Sequence, residues 1–344
     1  MKIAVLFGGI STERNVSING GRAVCEALRS LGHEVVPVDP AFGVDLERSA
    51  NELISMEAYP SLEELAQFSP RNIINCINSD VFDDVDLAFL VLHGKWGEDG
   101  TIQALLELRG IPYTGSDVKS SSVSIDKVAS KILFSAAGIQ TPPWAVVRAP
   151  DAENIDLLKD IRTDLGPKLV VKPNDQGSTI GLTIIKNGNL DDLADAVRLA
   201  AKYSREVVIE EFIEGRELTV GIVGDTMLPV IEIIAEGGFY DYEHKYTKGR
   251  TEYVCPAEIE EDIAEFTQNL AHAAHRVLGC AGFSRVDFRL DSEGVPYCLE
   301  INTIPGFTAT SLVPKAAAQI GIEFPELCEK IVELSLDGVA KESE

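Results

Sequence analysis

The first forty residues alternate between strand-like and helix-like hydrophobic patterns, and this alternation limits the possible folds more than any other feature. The apolar run "KIAVLF" turns at Gly8-Gly9, and Val24 and Leu28 then recur at helical spacing until Gly32. A second apolar run, "HEVVPV", follows directly. Two strands joined by a helix form a βαβ unit, which places the strands parallel in one sheet. The chain therefore opens with an α/β domain.

The pattern changes after about residue 117. A helix is predicted around "DKVASKILFSAAG", and "TPPW" then breaks the chain. From Lys168 onward short strands joined by glycine-containing turns predominate, followed by helices predicted at about 259–278 and 324–336. Residues 41–80 indicate only a helical excursion and loops. The predicted fold class is α/β followed by α+β.

Composition excludes several classes of partner. The net charge of -25 disfavours nucleic acid or an anionic membrane, since both attract basic proteins. The six cysteines are scattered without a CxxC pair, which predicts neither a zinc site nor a disulfide framework and favours a reducing cytoplasm. We also expect no export signal or membrane-spanning segment, because Met1 leads straight into a short strand.

The segment "GFSRVDFRLDSEGVPYCLEINTIPGF" predicts a hairpin that turns at "DSEG", with Leu290 opposite Val295. Side chains alternate along each strand, so one face should be apolar: Val286, Phe288, Leu290, Val295, Tyr297, Leu299 and Ile301. The other face should collect Arg285, Asp287, Glu300 and Asn302. Carboxylate and amide oxygens of this kind suit magnesium bound to substrate phosphates. A solvated outer face is the alternative.

A second stretch, "VVKPNDQGSTIG", predicts an anion site. Lys172 ends an apolar strand, and Gly177 and Ser178 begin a loop whose backbone N–H groups could approach a phosphate. An ordinary glycine-serine hairpin would look the same. Lys127 and Lys245, taken singly, are more readily explained as exposed surface lysines.

The stretch "LHGKWGEDG" places charged residues directly after an apolar strand. In open α/β sheets ligands bind beyond the carboxyl ends of the strands, so His93 is expected near a substrate. A buried structural histidine is the alternative. Glu98 and Asp99 are predicted to cap the following helix. No physical reason for Trp96 in this loop follows from the sequence.

Taken together, these motifs resemble the D-alanine–D-alanine ligases, a family of ATP-grasp enzymes. The resemblance is carried by "LFGGISTERNVS", "LHGKWGEDGTIQALLELRGIPYTGS", "DKVASK", "VVKPNDQGSTIG", "EEFIEGRELTVGI", "GGFYDYEHKY", "SRVDFRL" and "LEINTIPGFTATSLVPKAA". It implies an N-terminal parallel-sheet domain (1–116) and two domains that clamp ATP (117–210 and 211–344). It also implies ligation of two D-alanines through an acyl phosphate, for peptidoglycan precursor synthesis.

The resemblance assigns roles around the phosphates. Asp287, Glu300 and Asn302 match ligands of two Mg²⁺ (or Mn²⁺) ions. Arg285 and the backbone N–H of Gly306 match groups that stabilise the acyl phosphate and the tetrahedral intermediate. The residues implied to bind ATP are Lys127 and Lys172 on the α- and β-phosphates, Lys245 on the γ-phosphate, Ser178 in the phosphate loop, Glu210, Glu211, Phe212 and Ile213 along the adenine, and Glu217 on the ribose.

The resemblance also assigns the amino-acid subsites. Glu13 matches the carboxylate that holds the first D-alanine's ammonium, and Ser178 and Tyr246 match its hydrogen-bonding partners beneath an ω-loop at about 236–250. His93, Ser311 and Leu312 match residues around the second D-alanine. On sequence alone Glu13 is more readily explained by a helix N-terminus, which favours acidic residues, and the family match reverses this preference.

Three other functions are weighed against the ligase. A nucleotide-binding oxidoreductase would need GxGxxG after the first strand, which "LFGGIS" lacks. An inactive binding module should have lost a metal ligand or the arginine, and all are present. A D-alanine–D-lactate or D-serine ligase is the nearest enzymatic alternative. We expect a cytoplasmic homodimer.

Overall fold

The N-terminal part of the chain builds the parallel sheet that the alternating pattern predicts. The computed structural model describes residues 1–54, 67–235 and 251–342. Three parallel strands form the first sheet, with the first of them in the middle: β1 (Lys2–Leu6), β2 (Glu34–Val38) and β3 (Leu87–Leu90). Apart from Lys2, every residue of β1 is fully buried. A continuous apolar run is typical of a central strand covered on both faces.

Helices cover both faces of this sheet: α1 (Arg14–Ser30), α2 (Leu46–Ile54), α3 (Arg71–Ile77) and α4 (Thr101–Arg109). Helices α2 and α3 occupy the region where the sequence indicated only a helical excursion. On one face Val5 and Phe7 share a core with Leu327 and Ile331 from the far end of the chain. The C-terminal residues therefore stabilise the N-terminal sheet.

The middle of the chain begins with two helices, α5 (Val118–Ile125) and α6 (Lys127–Ala136). It then forms an antiparallel sheet in the order β4-β7-β5-β6, whose strands are β4 (Trp144–Arg148), β5 (Leu169–Pro173), β6 (Thr183–Ile185) and β7 (Glu206–Glu211). Two further helices pack against it through Leu158, Leu193 and Val197: α7 (Ile155–Leu165) and α8 (Leu190–Ala200).

The last part of the chain forms the third sheet, which is also antiparallel. Its strands are β8 (Arg216–Val223), β9 (Thr226–Met227), β10 (Ile231–Ala235), β11 (Thr251–Val254), β12 (Phe283–Leu290) and β13 (Pro296–Asn302). The order is β11-β10-β8-β12-β13, with β9 paired to β8. The helices of this part are α9 (Glu261–Val277), α10 (Leu312–Gln319) and α11 (Phe324–Glu342). The predicted helix at 259–278 is confirmed, whereas the last helix runs further than predicted.

Phe307 joins the parts of the molecule. Its ring centroid lies 6.0 Å from that of Phe89 at β3, and 5.4 Å from those of Phe283 on β12 and Phe324 on α11. Aromatic pairs at these distances stabilise beyond their buried area. The predicted division at residues 116 and 210 stays a prediction. Within the described ranges, no helix is both long and apolar enough to cross a bilayer.

Candidate active site

The predicted hairpin exists, and its polar face forms as expected. In the β12–β13 pairing Arg285 lies opposite Asn302 and Asp287 opposite Glu300. The register changes just after Asp287, so the turn end of the predicted pairing is wrong: Leu290 lies opposite Pro296, not Val295. A β-bulge of this kind puts one extra residue in one strand.

The bulge also changes which apolar residues of β13 are buried. Pro296, Cys298 and Ile301 are buried, whereas Tyr297 and Leu299 are only half-buried. Leu299, which was predicted for the apolar face, instead lines a cleft with Asp287 and Glu300. A strict alternation fails here because the extra residue reverses the facing of every position beyond it.

The acidic residues of the hairpin are held by neighbouring groups. Arg285 donates from Nε and Nη2 to the two carboxylate oxygens of Asp287, both at 2.8 Å. Thr219 Oγ1 on β8 donates to Asp287 at 2.6 Å, and Lys127 Nζ lies 3.2 Å from Glu300 Oε2. Paired, hydrogen-bonded carboxylates can remain charged in a partly buried position.

The donor set of the hairpin fits magnesium. Asp287 and Glu300 provide carboxylate oxygens and Asn302 an amide oxygen, and hard divalent cations prefer oxygen ligands. Across the described ranges, no group of three or more His, Cys, Asp or Glu side chains has metal-binding geometry. The hairpin set is of a different kind, because it has only two such residues and its third ligand is an amide. It leaves coordination positions for substrate phosphates.

The side-chain amide of Asn302 bridges two elements. In the orientation that satisfies both of its polar atoms, Nδ2 donates to Glu98 Oε1 at 2.8 Å and Oδ1 accepts from Arg285 Nη2 at 2.9 Å. The other carboxylate oxygen of Glu98 accepts from the backbone N–H of Gly94 at 2.6 Å. Burial, reinforced by the charge of Glu13, raises the pKa of Glu98 well above its usual value.

The prediction that Glu98 and Asp99 cap helix α4 is therefore half right. Asp99 accepts from the backbone N–H of Thr101 at 3.0 Å, at the start of the helix. Glu98 turns the other way and faces Asn302. The sequence could not show this, because the contact joins residues about two hundred positions apart.

The cleft between the second and third sheets gathers most of the predicted ATP-binding residues. It encloses about 970 Å³ of space, part of it open to solvent. Predicted residues that line it are Lys127, Lys172, Ser178, Glu210, Glu211, Phe212, Ile213, Glu217, Arg285, Asp287 and Glu300. A cleft of this size and mixed polarity is typical of a small-molecule site.

A buried charge cluster forms the cleft's inner wall. Glu210 is 2% exposed, and its Oε1 lies 2.9 Å from Lys172 Nζ and 2.8 Å from Lys131 Nζ. Burial alone would raise the pKa of Glu210, but the two lysines together outweigh it and lower the pKa. Burial lowers the pKa of Lys131 despite its ion pair. Lys131 was not predicted from the sequence, although it lies one helical turn after Lys127.

The linker after β7 is fixed by an arginine that the sequence analysis did not single out. Arg289 donates to the carbonyl oxygens of Ile213 (3.1 Å) and Gly215 (2.8 Å), and to Glu217 Oε2 at 3.5 Å. Its guanidinium also lies 5.6 Å from the centre of the Phe212 ring. Arg289 thus holds the predicted adenine linker and the predicted ribose contact in one arrangement.

A second region meets the cleft at Ser178, whose hydroxyl donates to Glu13 Oε1. Glu13 is nearly buried, and a Cβ added at Gly94 or Gly177 would lie 2.7 or 3.1 Å from its Oε2. Both glycines therefore let a backbone approach the carboxylate closely. The predicted pair of Glu13 and Ser178 is present in the structure, although 165 positions separate the two residues.

The loop that carries Glu13 is held from behind by a buried ion pair. Arg14 Nη2 lies 2.5 Å from Asp39 Oδ2, and Arg14 Nη1 donates to the carbonyl of Gly9 at 2.6 Å. Asp39 Oδ1 accepts from the Gly9 N–H at 3.0 Å. Gly8 has a φ of +75°, and an added Cβ there would lie 2.4 Å from Asp39, so this turn requires glycine.

His93 lies buried at the end of β3, and its Nε2 finds no hydrogen-bond partner among the described residues. Burial lowers the pKa of His93, although the nearby charge of Glu13 opposes the shift. The imidazole is therefore neutral at physiological pH and can accept a proton. Ser11 Oγ donates to the His93 carbonyl at 2.7 Å, which ties His93 to the Glu13 loop.

The remaining predicted residues fall into two groups. Ser311 precedes Leu312, the first residue of α10, and its hydroxyl accepts from the Thr308 N–H at 3.0 Å. Gly306 lies close by, since a Cβ added there would be 3.6 Å from Ser311 Oγ. A helix N-terminus of this kind favours an anion. Lys245 and Tyr246, together with the predicted ω-loop, lie outside the described residues.

Two family models match the chain. The D-ala D-ala ligase N-terminus matches residues 2–116, and the D-ala D-ala ligase C-terminus matches residues 133–333. The chain belongs to the D-alanine–D-alanine ligase family. The sequence resemblance and the ATP-grasp fold class are thereby confirmed.

Other members of the D-alanine–D-alanine ligase family are similar over nearly the whole chain. A D-alanine–D-alanine ligase from an Anaeromyxobacter species is 44% identical over 98% of this chain and 97% of its own length. The crystal structure of a Bacillus anthracis D-alanine–D-alanine ligase complexed with ATP is 33% identical, covers 100% of both chains and has a TM-score of 0.78. The VanG D-Ala:D-Ser ligase of Enterococcus faecalis is also 33% identical, with coverage of 97% and 99% and a TM-score of 0.77.

Proposed function

We propose that the chain joins two molecules of D-alanine into D-alanyl-D-alanine with the consumption of ATP, as a step of peptidoglycan precursor synthesis. The observation that carries the proposal is the contact between Ser178 and Glu13. It brings a phosphate-binding cleft and a carboxylate suited to an ammonium group together in a member of this ligase family. The curated relatives of 40–44% identity bear the name D-alanine–D-alanine ligase, which supports this choice of substrate.

The first step transfers a phosphoryl group. A carboxylate oxygen of the first D-alanine attacks the γ-phosphorus of ATP, the bond to the β,γ-bridging oxygen breaks, and ADP leaves with those electrons. Glu13 holds the ammonium of this D-alanine, while Lys127 and Lys172 neutralise charge on the nucleotide phosphates. Magnesium, when bound at Asp287, Glu300 and Asn302, would neutralise the phosphate charge that develops during transfer.

The second step forms the peptide bond. The amine of the second D-alanine attacks the carbonyl carbon of the acyl phosphate, and phosphate leaves with the former carboxylate oxygen. Arg285 and the Gly306 N–H stabilise the oxyanion of the tetrahedral intermediate. Neutral His93 accepts the proton that the incoming ammonium must lose, and the N-terminus of α10 at Ser311 and Leu312 holds the second carboxylate.

We propose the remaining nucleotide contacts as well. The nucleotide site is completed by two metal ions, by the adenine contacts of Glu210, Glu211, Phe212 and Ile213, by the ribose contact of Glu217 and by the γ-phosphate contact of Lys245. Tyr246 completes the hydrogen-bonded set of Glu13 and Ser178.

The protein is further proposed to work in the cytoplasm as a homodimer. All six cysteines are free thiols and five of them are buried, which fits a reducing compartment. Leu108 on α4 is 87% exposed and Ile74 on the adjoining α3 is 46% exposed, which supports an apolar contact surface on this side. Light scattering after gel filtration gives the mass: twice 37.3 kDa is expected, and a monomer would contradict the dimer.

Phosphate release measured with ATP, magnesium and a panel of amino acids tests the function. Release should require D-alanine, the product should be the dipeptide, and L-alanine should be inactive. D-serine and D-lactate belong in the panel, because the D-Ala:D-Ser ligase is as similar in sequence as the Bacillus enzyme, at 33% each. Preferred incorporation of D-serine or D-lactate would change the second substrate, and no amino-acid-dependent release would reject the ligase function.

A further inference from the structure

We propose that Glu98 is a positioning residue that orients the side-chain amide of Asn302 so that its oxygen faces the magnesium site. The inference rests on the proposed function, because it takes Asn302 as a metal ligand. Glu98 acts through Asn302 and has no place in the sequence-based set of site residues. Three side chains from two distant parts of the chain provide the geometry: Glu98, Arg285 and Asn302.

The amide of Asn302 fits only one orientation. With Nδ2 toward Glu98 Oε1 (2.8 Å) and Oδ1 toward Arg285 Nη2 (2.9 Å), each atom meets a complementary partner. The reverse orientation would place the amide oxygen against a carboxylate oxygen and the NH₂ against a guanidinium that has only donors. Both partners therefore select the same orientation, one by accepting and the other by donating.

Glu98 is itself held in place. It is 5% exposed, and its Oε2 accepts from the Gly94 N–H at 2.6 Å, which leaves Oε1 directed at Asn302. The loop around it is tied down where Gln103 Nε2 donates to the Gly97 carbonyl at 2.8 Å. A fixed acceptor at this point removes the rotational choice that an asparagine side chain otherwise has.

The orientation matters because an amide has two chemically different ends. Its oxygen can coordinate a hard divalent cation, whereas its NH₂ carries positive charge density and cannot. Glu98 belongs to the loop after β3, and Asn302 ends β13. The N-terminal loop beside His93 thereby sets a ligand of the proposed metal site in the third sheet.

Glu98→Gln is the first test. The glutamine side chain has one acceptor end and one donor end, so its oxygen can accept from either Gly94 or Asn302. Its NH₂ then faces the N–H donor of the other residue. We expect Mn²⁺, titrated with ADP present and followed by electron paramagnetic resonance, to bind roughly tenfold more weakly, because the NH₂ of Asn302 loses its acceptor. Asn302→Asp should also weaken binding, since two carboxylates then face each other.

The double variant Glu98→Gln with Asn302→Asp restores complementarity. The glutamine oxygen accepts from Gly94, its NH₂ donates to the new aspartate, and that aspartate still offers oxygens to Arg285 and the metal. Mn²⁺ affinity should recover to near that of the parent. Asp99→Asn is the matched control: it replaces a carboxyl by an amide in the same loop, but its partners are the Trp96 and Thr101 N–H groups, so Mn²⁺ binding should be unchanged.

A metal-free measurement separates this inference from the proposed function. In protein labelled with ¹⁵N-asparagine, the NH₂ signal that disappears in Asn302→Asp should shift in Glu98→Gln and stay in place in Asp99→Asn. An unshifted signal, or a double variant no better than the singles, overturns the role of Glu98. Parent-like Mn²⁺ binding by Glu300→Gln would instead reject the proposed metal site, and the inference with it.

Discussion

The nucleotide cleft, between the second and third sheets, differs from the amino-acid region, the loops that carry Glu13 and His93, in how its buried polar groups are paired. In the cleft, the buried carboxylate of Glu210 is compensated by Lys131 and Lys172, and Lys127 lies beside Glu300. In the amino-acid region, His93 keeps a buried nitrogen without a partner among the described residues. There, Gly94 and Gly177 bring the backbone close to Glu13.

The difference indicates how the two regions work. Ion pairs with Glu210 hold Lys131 and Lys172 in place without a ligand, so under the proposed assignment ATP meets lysines that are already placed. The unpartnered Nε2 of His93 is proposed to accept a proton that arrives only with the substrate. We therefore expect damage to the cleft to affect the nucleotide, and damage to the amino-acid region to affect the nucleophile and its pH dependence.

The largest effect is expected at Glu300, in the lining of the cleft. Glu300→Gln removes one charged group of the proposed metal site and one partner of Lys127 but leaves the volume of the side chain nearly unchanged. Turnover should fall at least about a thousandfold, since electrostatic stabilisation of the phosphoryl groups supplies much of the catalysis. Circular dichroism and thermal unfolding check that the fold is intact. Turnover within a few-fold of the parent would contradict the metal assignment.

A smaller effect, confined to the amino-acid region, is expected for His93→Gln. Loss of a general base should lower kcat about a hundredfold while the KM for ATP stays the same. Because burial lowers the pKa of His93, the parent should stay active as the pH falls through 6.5 and lose activity only below that value. The variant should lack this acidic limb. An identical pH profile in parent and variant would make His93 a structural residue.

The free energy of unfolding of the parent should also decrease at acidic pH because of His93. The unfolded chain binds a proton on this imidazole at a higher pH than the folded chain, so His93 lowers the free energy of unfolding as the pH falls below about 6.5. Urea unfolding of the parent and His93→Gln at pH 7 and pH 5 measures this contribution. Relative to the parent, the variant should be more stable at pH 5 than it is at pH 7.

The smallest effect should be confined to the cleft. Lys172→Ala leaves Glu210 paired with Lys131, so the buried carboxylate keeps a counter-ion and the protein should fold. The KM for ATP should rise about tenfold through the loss of one charged contact, with the KM for D-alanine nearly unchanged. Initial rates with each substrate varied in turn give both constants. A rise in the KM for D-alanine alone would contradict the assignment of Lys172 to the nucleotide.

The sequence predicted the elements better than the contacts between them. The βαβ opening, the hairpin and its polar face follow from local periodicity, and each is present. The bulge after Asp287 was not predictable, because no glycine or turn residue marks it. The roles of Lys131, Arg289 and Glu98 depend on residues far away in sequence, so their importance appears only once the sheets are assembled.

Trp96 shows the same limit. Its backbone has a φ of +74°, in the left-handed region that favours glycine, and the Lys95 ammonium lies 4.8 Å from its ring. Its side chain also packs against the core beside Leu92 and Ile102. Packing of a large ring against this core offsets a backbone strain on the order of 1–3 kcal/mol. Sequence pattern alone gave no reason for a tryptophan at this position.

The two regions are proposed to cooperate through an acyl phosphate, and isotope transfer from the carboxylate to phosphate shows whether that intermediate forms. The reaction is run with D-alanine labelled with ¹⁸O in its carboxylate, and the released phosphate is analysed by mass spectrometry. Attack of the carboxylate on the γ-phosphorus followed by attack of the amine on the carbonyl carbon predicts one ¹⁸O atom in the phosphate for each dipeptide formed. Phosphate that carries no ¹⁸O while dipeptide accumulates would contradict the account.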